Sequence, residues 1–517
     1  MHSEKLARQV AFLTVSNIIV KFAGLLFKIP MTALIGEEGM GYFNSAYTLF
    51  TWFYMISTAG LPAASAMMIS RSLAANKYRE VRRIFKISLS IFFALGIISS
   101  SAMIFGADFF AHLMKVERSA PAIIAIAPTL FFICQSAALR GYFQGCGEMR
   151  PHAVSQTAEA LGKLALGVAL AKYASEQGLS PELTAAWAAV GLTVGIAAGM
   201  LVLYLSLMFT KRLRQPLPTI NEDKSVTPVG STALKLAKIA LPITLSSSLM
   251  SLTGLVDTLI MTRRLHDIGL SQTETIAIYG NYTSLAVPMF NLPPVLIYPL
   301  TYILMPKLAA TLEKSQKQSL KLCRAIVSLT AMISIPCAMG LCTLSEPLLG
   351  LLFEAGIAER GAFMLTLLAP SSFFVCILAL TNTVLQASGH ERIPLVALII
   401  GSVVKLVSSW ALIPVIGKYG TPVSTFLCYF VICAISVGAI ASRTELGQAF
   451  TPKLFIRPLL NSTAAVMAAV IVNRMTLSYI GARPAALAAL AAAAVIYLPL
   501  TLPQALKEFN STKNNET

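Results

Sequence analysis

Residues 11–35 read AFLTVSNIIVKFAGLLFKIPMTALI, an apolar run long enough to cross a bilayer as one helix. Lys21 stands in its middle and Lys28 two turns further on. A lysine near the bilayer centre costs ~3 kcal/mol or more, so it usually faces water or an anionic partner. Lys163 and Lys405 repeat the pattern, each inside another apolar span. These lysines predict helices arranged around a cationic cavity for something negatively charged. The plain alternative is that each one snorkels to an interface, most readily Lys28, which is nearer a helix end.

The rest of the chain agrees with a membrane setting. It has 517 residues, is 56% hydrophobic and only 12% charged, where soluble domains carry roughly twice that charge. The apolar runs are continuous rather than alternating at period two, so they predict helices and not barrel strands. Hydropathy places fourteen spans, near 7–35, 42–70, 84–106, 120–139, 153–173, 184–209, 236–261, 276–305, 325–344, 362–385, 393–415, 421–441, 455–473 and 484–503. With the start of the chain in the cytoplasm, Lys and Arg are about threefold commoner in inside segments, the 140–150 turn among them. That excess predicts a multi-pass cell-membrane protein with both termini cytoplasmic. The net charge of +17 is then a topology signal, and no nucleic-acid partner is expected.

The longest polar stretch, KRLRQPLPTINEDKSVTPVGS from Lys211, reads as a linker. It divides the chain into a six-span lobe at 1–210, a linker at 211–231, a second six-span lobe at 232–445, two further spans at 446–505 and a polar tail at 506–517. The two lobes resemble each other. Gln144, Gly147, Arg150 and Lys163 correspond, at one constant spacing, to Gln386, Gly389, Arg392 and Lys405. A six-helix unit repeated in one orientation implies pseudo-two-fold symmetry about the membrane normal, as in transporters that work by alternating access.

Candidate site residues follow from depth and helical spacing. Lys21 and Lys28 are seven apart, hence roughly on one face and ~10 Å apart along the axis, a spacing that suits an extended anion such as a diphosphate. Asn17 and Gly24 flank them, adding a polar contact and room. Glu159 and Lys163 are four apart, which allows a cation-linked pair or a purely structural ion pair. Lys405 has no acidic residue within a turn. Asp257 is the other deeply placed carboxylate and is a candidate for pairing with a lysine or for binding a coupling cation. Asn44 is a candidate for the outer mouth or for the interfacial belt. The basic loop Arg71, Lys77, Arg79, Arg82, Arg83 and Lys86 reads as topology plus headgroup contact, with capture of a phosphorylated substrate as the lesser alternative. Pro62, Pro293, Pro294, Pro299 and Pro306 predict bends in the second and eighth spans. The eight cysteines include no CxxC and read as small core residues. No P-loop, HExxH or GxSxG occurs, so neither an enzyme nor a cofactor is expected.

With these residues in view, the chain resembles the MOP exporter superfamily. Within it, the resemblance is to the branch of polysaccharide-biosynthesis and stage V sporulation proteins related to lipid II flippases. The resemblance is carried by KFAGLLFKIPMTALIGEEGMGYFNSAY from Lys21, GLPAASAMMISR from Gly60 and LQASGHERIPL from Leu385. It implies export of an undecaprenyl-diphosphate-linked glycan, such as a peptidoglycan precursor, with a groove for the polyprenyl tail in the last two spans. It also implies coupling to membrane potential, sodium or protons, and possible partners among cell-wall synthesis proteins. In the lipid II flippases a basic residue stands three places before the first-span glycine, as Lys21 does before Gly24. Where they carry an acidic residue in the second span and an arginine in the eighth, this chain has Asn44 and Tyr282. A cation-coupled multidrug antiporter of the same superfamily is the alternative, disfavoured by more buried lysines than acids. A membrane enzyme acting on lipid-linked sugars is the third reading.

Overall fold

The computed structural model describes the backbone of residues 2–209 and 228–513. The linker stretch at 211–227 and the end of the tail lie outside the described residues. Every regular element among the described residues is helical. By length and composition, nine of their helical stretches qualify as membrane spans. Two of these, 22–74 and 392–443, hold two predicted spans each, so the nine account for eleven of the fourteen. The other three, near 153–173, 236–261 and 276–305, are helical too; charged residues such as Glu159, Lys163 and Asp257 interrupt the first two and prolines 288, 293, 294 and 299 the third. The protein is an all-α, multi-pass membrane protein.

Contacts divide the chain into two compact units, 1–266 with 270–280 and 267–269 with 281–517. Composition divides it earlier, at the linker, because a repeat and a packing unit are different properties. The first unit opens with α1, His2–Thr58. This helix reverses at Gly36, whose φ of 68° is open to glycine but not to a bulky residue. The reversal shows in the Phe27 and Phe43 rings, whose centroids lie 5.8 Å apart. Sixteen residues of straight helix would separate them by ~24 Å. The second limb breaks at Ala59–Gly60 and restarts as α2, Leu61–Ala74, with Pro62 in its first turn, where a missing N–H does no harm.

Then follow α3 (Tyr78–Phe105), α4 (Ala107–Leu113), α5 (Ala120–Ile126), α6 (Pro128–Gly145), α7 (Arg150–Glu176) and α8 (Pro181–Phe209). Helix α9, Val229–Asp267, returns to this unit. Its Leu236 and Ala240 join a core with Ala64, Ile69, Val81 and Ile84, and Thr262 Oγ1 donates to the Met114 carbonyl at 2.6 Å. Helix α10, Gln272–Asn281, completes the unit.

The second unit holds α11 (Val287–Phe290), α12 (Leu292–Lys314), α13 (Gln316–Thr343), α14 (Ser345–Leu352), α15 (Ala355–Ala387), α16 (Arg392–Ile416) and α17 (Gly420–Arg443). Prolines 293 and 294 open α12 after the chain breaks at Asn291. The last pair, α18 (Lys453–Ile480) and α19 (Ala482–Lys513), packs onto this unit through Leu344, Ala469 and Ala489. The sequence repeat is also a repeat of backbone geometry. At the end of α6, Gly147 has φ 73°, its N–H donates to Gln144, and Glu148 N–H donates to Phe143. At the end of α15, Gly389 has φ 77°, its N–H donates to Gln386, and His390 N–H donates to Leu385. Both are left-handed glycine stops that satisfy the last free carbonyls of a helix. All eight cysteines are free, five of them buried.

Candidate functional site

Helices α7 and α8 approach closely enough to bring their glycines together. A Cβ on Gly162 would sit 2.9 Å from Gly195 Cα, and one on Gly191 would meet Gly167. Gly191, Gly195 and Gly199 are spaced four apart, the small-residue pattern that lets membrane helices pack backbone to backbone. At Gly199 the space is taken by Glu159, whose Cβ lies 3.0 Å from where a side chain would begin.

That packing holds Glu159 in a buried charge triad. Lys163 Nζ donates to Glu159 Oε1 at 2.7 Å, one turn along α7. Arg140 Nη2, from α6, donates to Glu159 Oε2 at 2.7 Å and to Ser155 Oγ at 3.2 Å. Ser155 Oγ in turn donates to the Gly199 carbonyl at 3.0 Å. The Arg140 and Glu159 side chains are 12% and 11% exposed, and that of Lys163 is 25% exposed. Two cations share one carboxylate, so the triad carries net charge +1, with Lys163 the member open to a ligand. Hydropathy puts Arg140 in the inside turn at 140–150. The helix instead runs on to Gly145 and turns Arg140 onto Glu159. Only the charge type and the nearby helix end could have signalled it.

The other candidates are placed as follows. The side chains of Asn17 and Lys21 lie outside the described residues. Lys28 is half-buried on the first limb of α1, between the buried Phe27 and Met31. Gly24 is exposed, with open space where a Cβ would be. Asn44 is buried on the second limb. Asp257 is half-buried on α9. Its neighbour Thr258 shares a hydrogen bond with the buried Tyr279 hydroxyl at 2.7 Å, which Thr48 also meets at 3.1 Å.

Lys405 is buried in the second unit, on α16. The repeat that aligns it with Lys163 places Gly401 against Glu159 and Asn382 against Arg140. A Cβ on Gly401 would come within 2.6 Å of Ile432 Cδ1, so that position has no room for a carboxylate. The two halves keep the lysine and differ at the positions of Glu159 and Arg140.

The family model described as polysaccharide biosynthesis protein matches residues 6–312, more than half of the chain. The chain belongs to that family. Stage V sporulation protein B of Bacillus subtilis (strain 168) is 25% identical over 322 residues, covering 62% of this chain and 61% of the relative. The match therefore spans less than two thirds of that relative. The lipid II flippase MurJ of the same organism is 24% identical over 471 residues, covering 87% of this chain and 84% of MurJ. Among solved structures, an inward closed lipid II flippase MurJ superimposes with a TM-score of 0.71 at 14% identity, over 95% of this chain and 97% of the other. An inward-facing multidrug resistance MATE transporter of the MOP superfamily gives 0.64, also at 14%, over 88% and 98%. The fold is that of MOP-superfamily transporters.

Proposed function

We propose that this member of the family is a flippase that moves an undecaprenyl-diphosphate-linked glycan, such as a peptidoglycan precursor, from the inner to the outer leaflet by alternating access. The observation that carries this reading is the surplus of cations at membrane depth. In the first unit two cations, Arg140 and Lys163, share the single carboxylate of Glu159, and Lys28 is half-buried on α1. Buried charge of that sign is retained where an anion compensates it. The diphosphate is the anion, contacted by Lys28 and Lys163 with Lys21, Asn17, Gly24 and Asn44 of the same unit as the further candidates, and Lys405 is a separate candidate in the second unit. The polyprenyl tail suits the exposed apolar faces of α18 and α19, which present Met467, Ile471, Leu487 and Val495. With both termini cytoplasmic, an inside-negative potential drives an anion outward with ~2.3 kcal/mol per charge per 100 mV. Coupling to that potential, rather than to sodium or protons, is the simplest arrangement, and no cofactor takes part. Such a carrier makes and breaks no covalent bond.

The test uses purified protein in liposomes with a polyprenyl-diphosphate disaccharide and an imposed potential. Wild type translocates the lipid, and Lys163→Met and Lys28→Met do so at least tenfold more slowly while remaining folded. Export of a lipophilic cation, with no movement of the lipid, would replace this reading by the multidrug antiporter.

A further inference from the structure

The second limb of α1 carries a ladder of rings. Phe43 and Tyr47 lie 6.1 Å apart, Tyr47 and Phe50 5.7 Å, and Phe50 and Tyr54 6.1 Å. Phe43 and Phe50 are buried and form its seat, while Tyr47 is exposed and Tyr54 half-buried. The two tyrosines are seven residues apart, hence on one face and ~10 Å apart along the helix. The foot of the ladder is tied to α7: the Phe43 ring lies 5.8 Å from that of Phe27, and a Cβ on Gly167, one turn past Lys163, would come within 2.6 Å of Phe27 Cε2.

Helix α7 supplies a matching polar stripe. His152, Gln156, Glu159 and Lys163 recur at intervals of four, three and four, which keeps them on one helical face. Three polar atoms around it are buried and make no hydrogen bond among the described residues: His152 Nδ1, Gln156 Oε1 and Arg140 Nε. Such groups cost free energy until something satisfies them. The triad thus has an unused donor, Arg140 Nε, and an unused acceptor, Gln156 Oε1, near it, one carboxylate balances part of the positive charge, and α1 contributes two aromatic rings. A bare phosphate would leave Gln156 Oε1 and both ring faces unused. A sugar would use them all, because its hydroxyls both donate and accept while its C–H face packs on an aromatic ring.

We propose that the Tyr47–Tyr54 face of α1 and the His152–Gln156–Glu159–Lys163 stripe of α7 form a glycan subsite that takes the sugar rings of the lipid-linked substrate rather than its diphosphate. This rests on the flippase reading above. Lys163 stands where sugar and diphosphate meet. Gln156 accepts from a hydroxyl, and Arg140 Nε donates to a hydroxyl or N-acetyl oxygen.

The experiment measures binding to full-length protein in nanodiscs with two probes, a polyprenyl diphosphate carrying an N-acetylated disaccharide and the same lipid without sugar. Wild type is expected to bind the sugar-bearing lipid more tightly. Tyr47→Leu and Gln156→Leu each weaken that lipid about 5- to 10-fold and leave the bare lipid as it was. Tyr47→Phe keeps the ring and most of the affinity. Tyr47 is exposed, so its variant remains informative even where Gln156→Leu fails to fold. If wild type binds the two lipids alike, or the variants weaken both equally, the subsite is overturned and the flippase reading stands. If wild type binds neither, both are overturned.

Discussion

Replacing Glu159 by glutamine should damage this protein more than removing either cation that it holds. The carboxylate is shared, with 2.7 Å contacts to both Arg140 and Lys163. Glu159→Gln leaves two cations next to each other at membrane depth, and both Arg140 and Glu159 are almost entirely shielded. Removing one partner of such a pair typically costs about 3–5 kcal/mol. Arg140→Met or Lys163→Met instead leaves one cation on one carboxylate, and Lys163 is partly exposed, so their cost should lie below that range. A domain of 150–250 residues shifts by ~2–4 °C per kcal/mol. The first unit is larger, so Glu159→Gln should lower the melting temperature on the order of 5–10 °C. The buried cysteines Cys134, Cys323, Cys376, Cys428 and Cys433 give a direct reporter, because a thiol-reactive dye labels them only on unfolding. Adding Lys163→Met to Glu159→Gln should recover part of the loss by removing one unpaired charge. A Glu159→Gln variant as stable as Lys163→Met, or a double variant no better than Glu159→Gln alone, would refute the shared-carboxylate argument.

Three further outcomes follow from the packing and the caps. Gly195→Leu should force α7 from α8, since even a Cβ there would meet Lys163 N. Its yield of folded protein should fall sharply, whereas Gly24→Ala, in open space, should behave as wild type in the same size-exclusion assay. Tyr279→Phe removes two buried hydroxyl contacts, to Thr258 and Thr48, and should cost about 1–2 kcal/mol in the thiol-labelling assay. Finally, Ser271 and Glu274 form a capping box at the start of α10, with Glu274 Oε2 accepting from Ser271 N–H at 3.0 Å and Ser271 Oγ at 2.7 Å. Those hydrogen bonds hold the Glu274 carboxyl below its ordinary pKa. The cap is therefore intact above the ordinary carboxylate range and is lost as pH falls through the lowered value. Amide exchange over 272–275 should quicken at acid pH in wild type, and Glu274→Ala should show the fast rate already at neutral pH.

The sequence by itself determined the all-helical class, eleven of the fourteen span positions and the repeat, because those rest on local hydropathy and on turns of a few residues. Gln144–Gly147 and Gln386–Gly389 form the same helix stop for that reason. The contact between Glu159 and Lys163 was equally legible, since four residues on one helix are neighbours wherever the helix packs. The proline bends at Pro62 and Pro293 belong with them. Only the tertiary structure decided that Arg140 joins the triad, that Gly401 and Ile432 shut a carboxylate out beside Lys405, and that α9 packs with the first unit. Each depends on how one helix is rotated against another, and that rotation is settled by glycine-sized gaps and side-chain volumes far apart in the chain. Hydropathy averages over those differences. The lysines were therefore visible from their cost in a membrane, whereas their partners became visible only when the helices were packed.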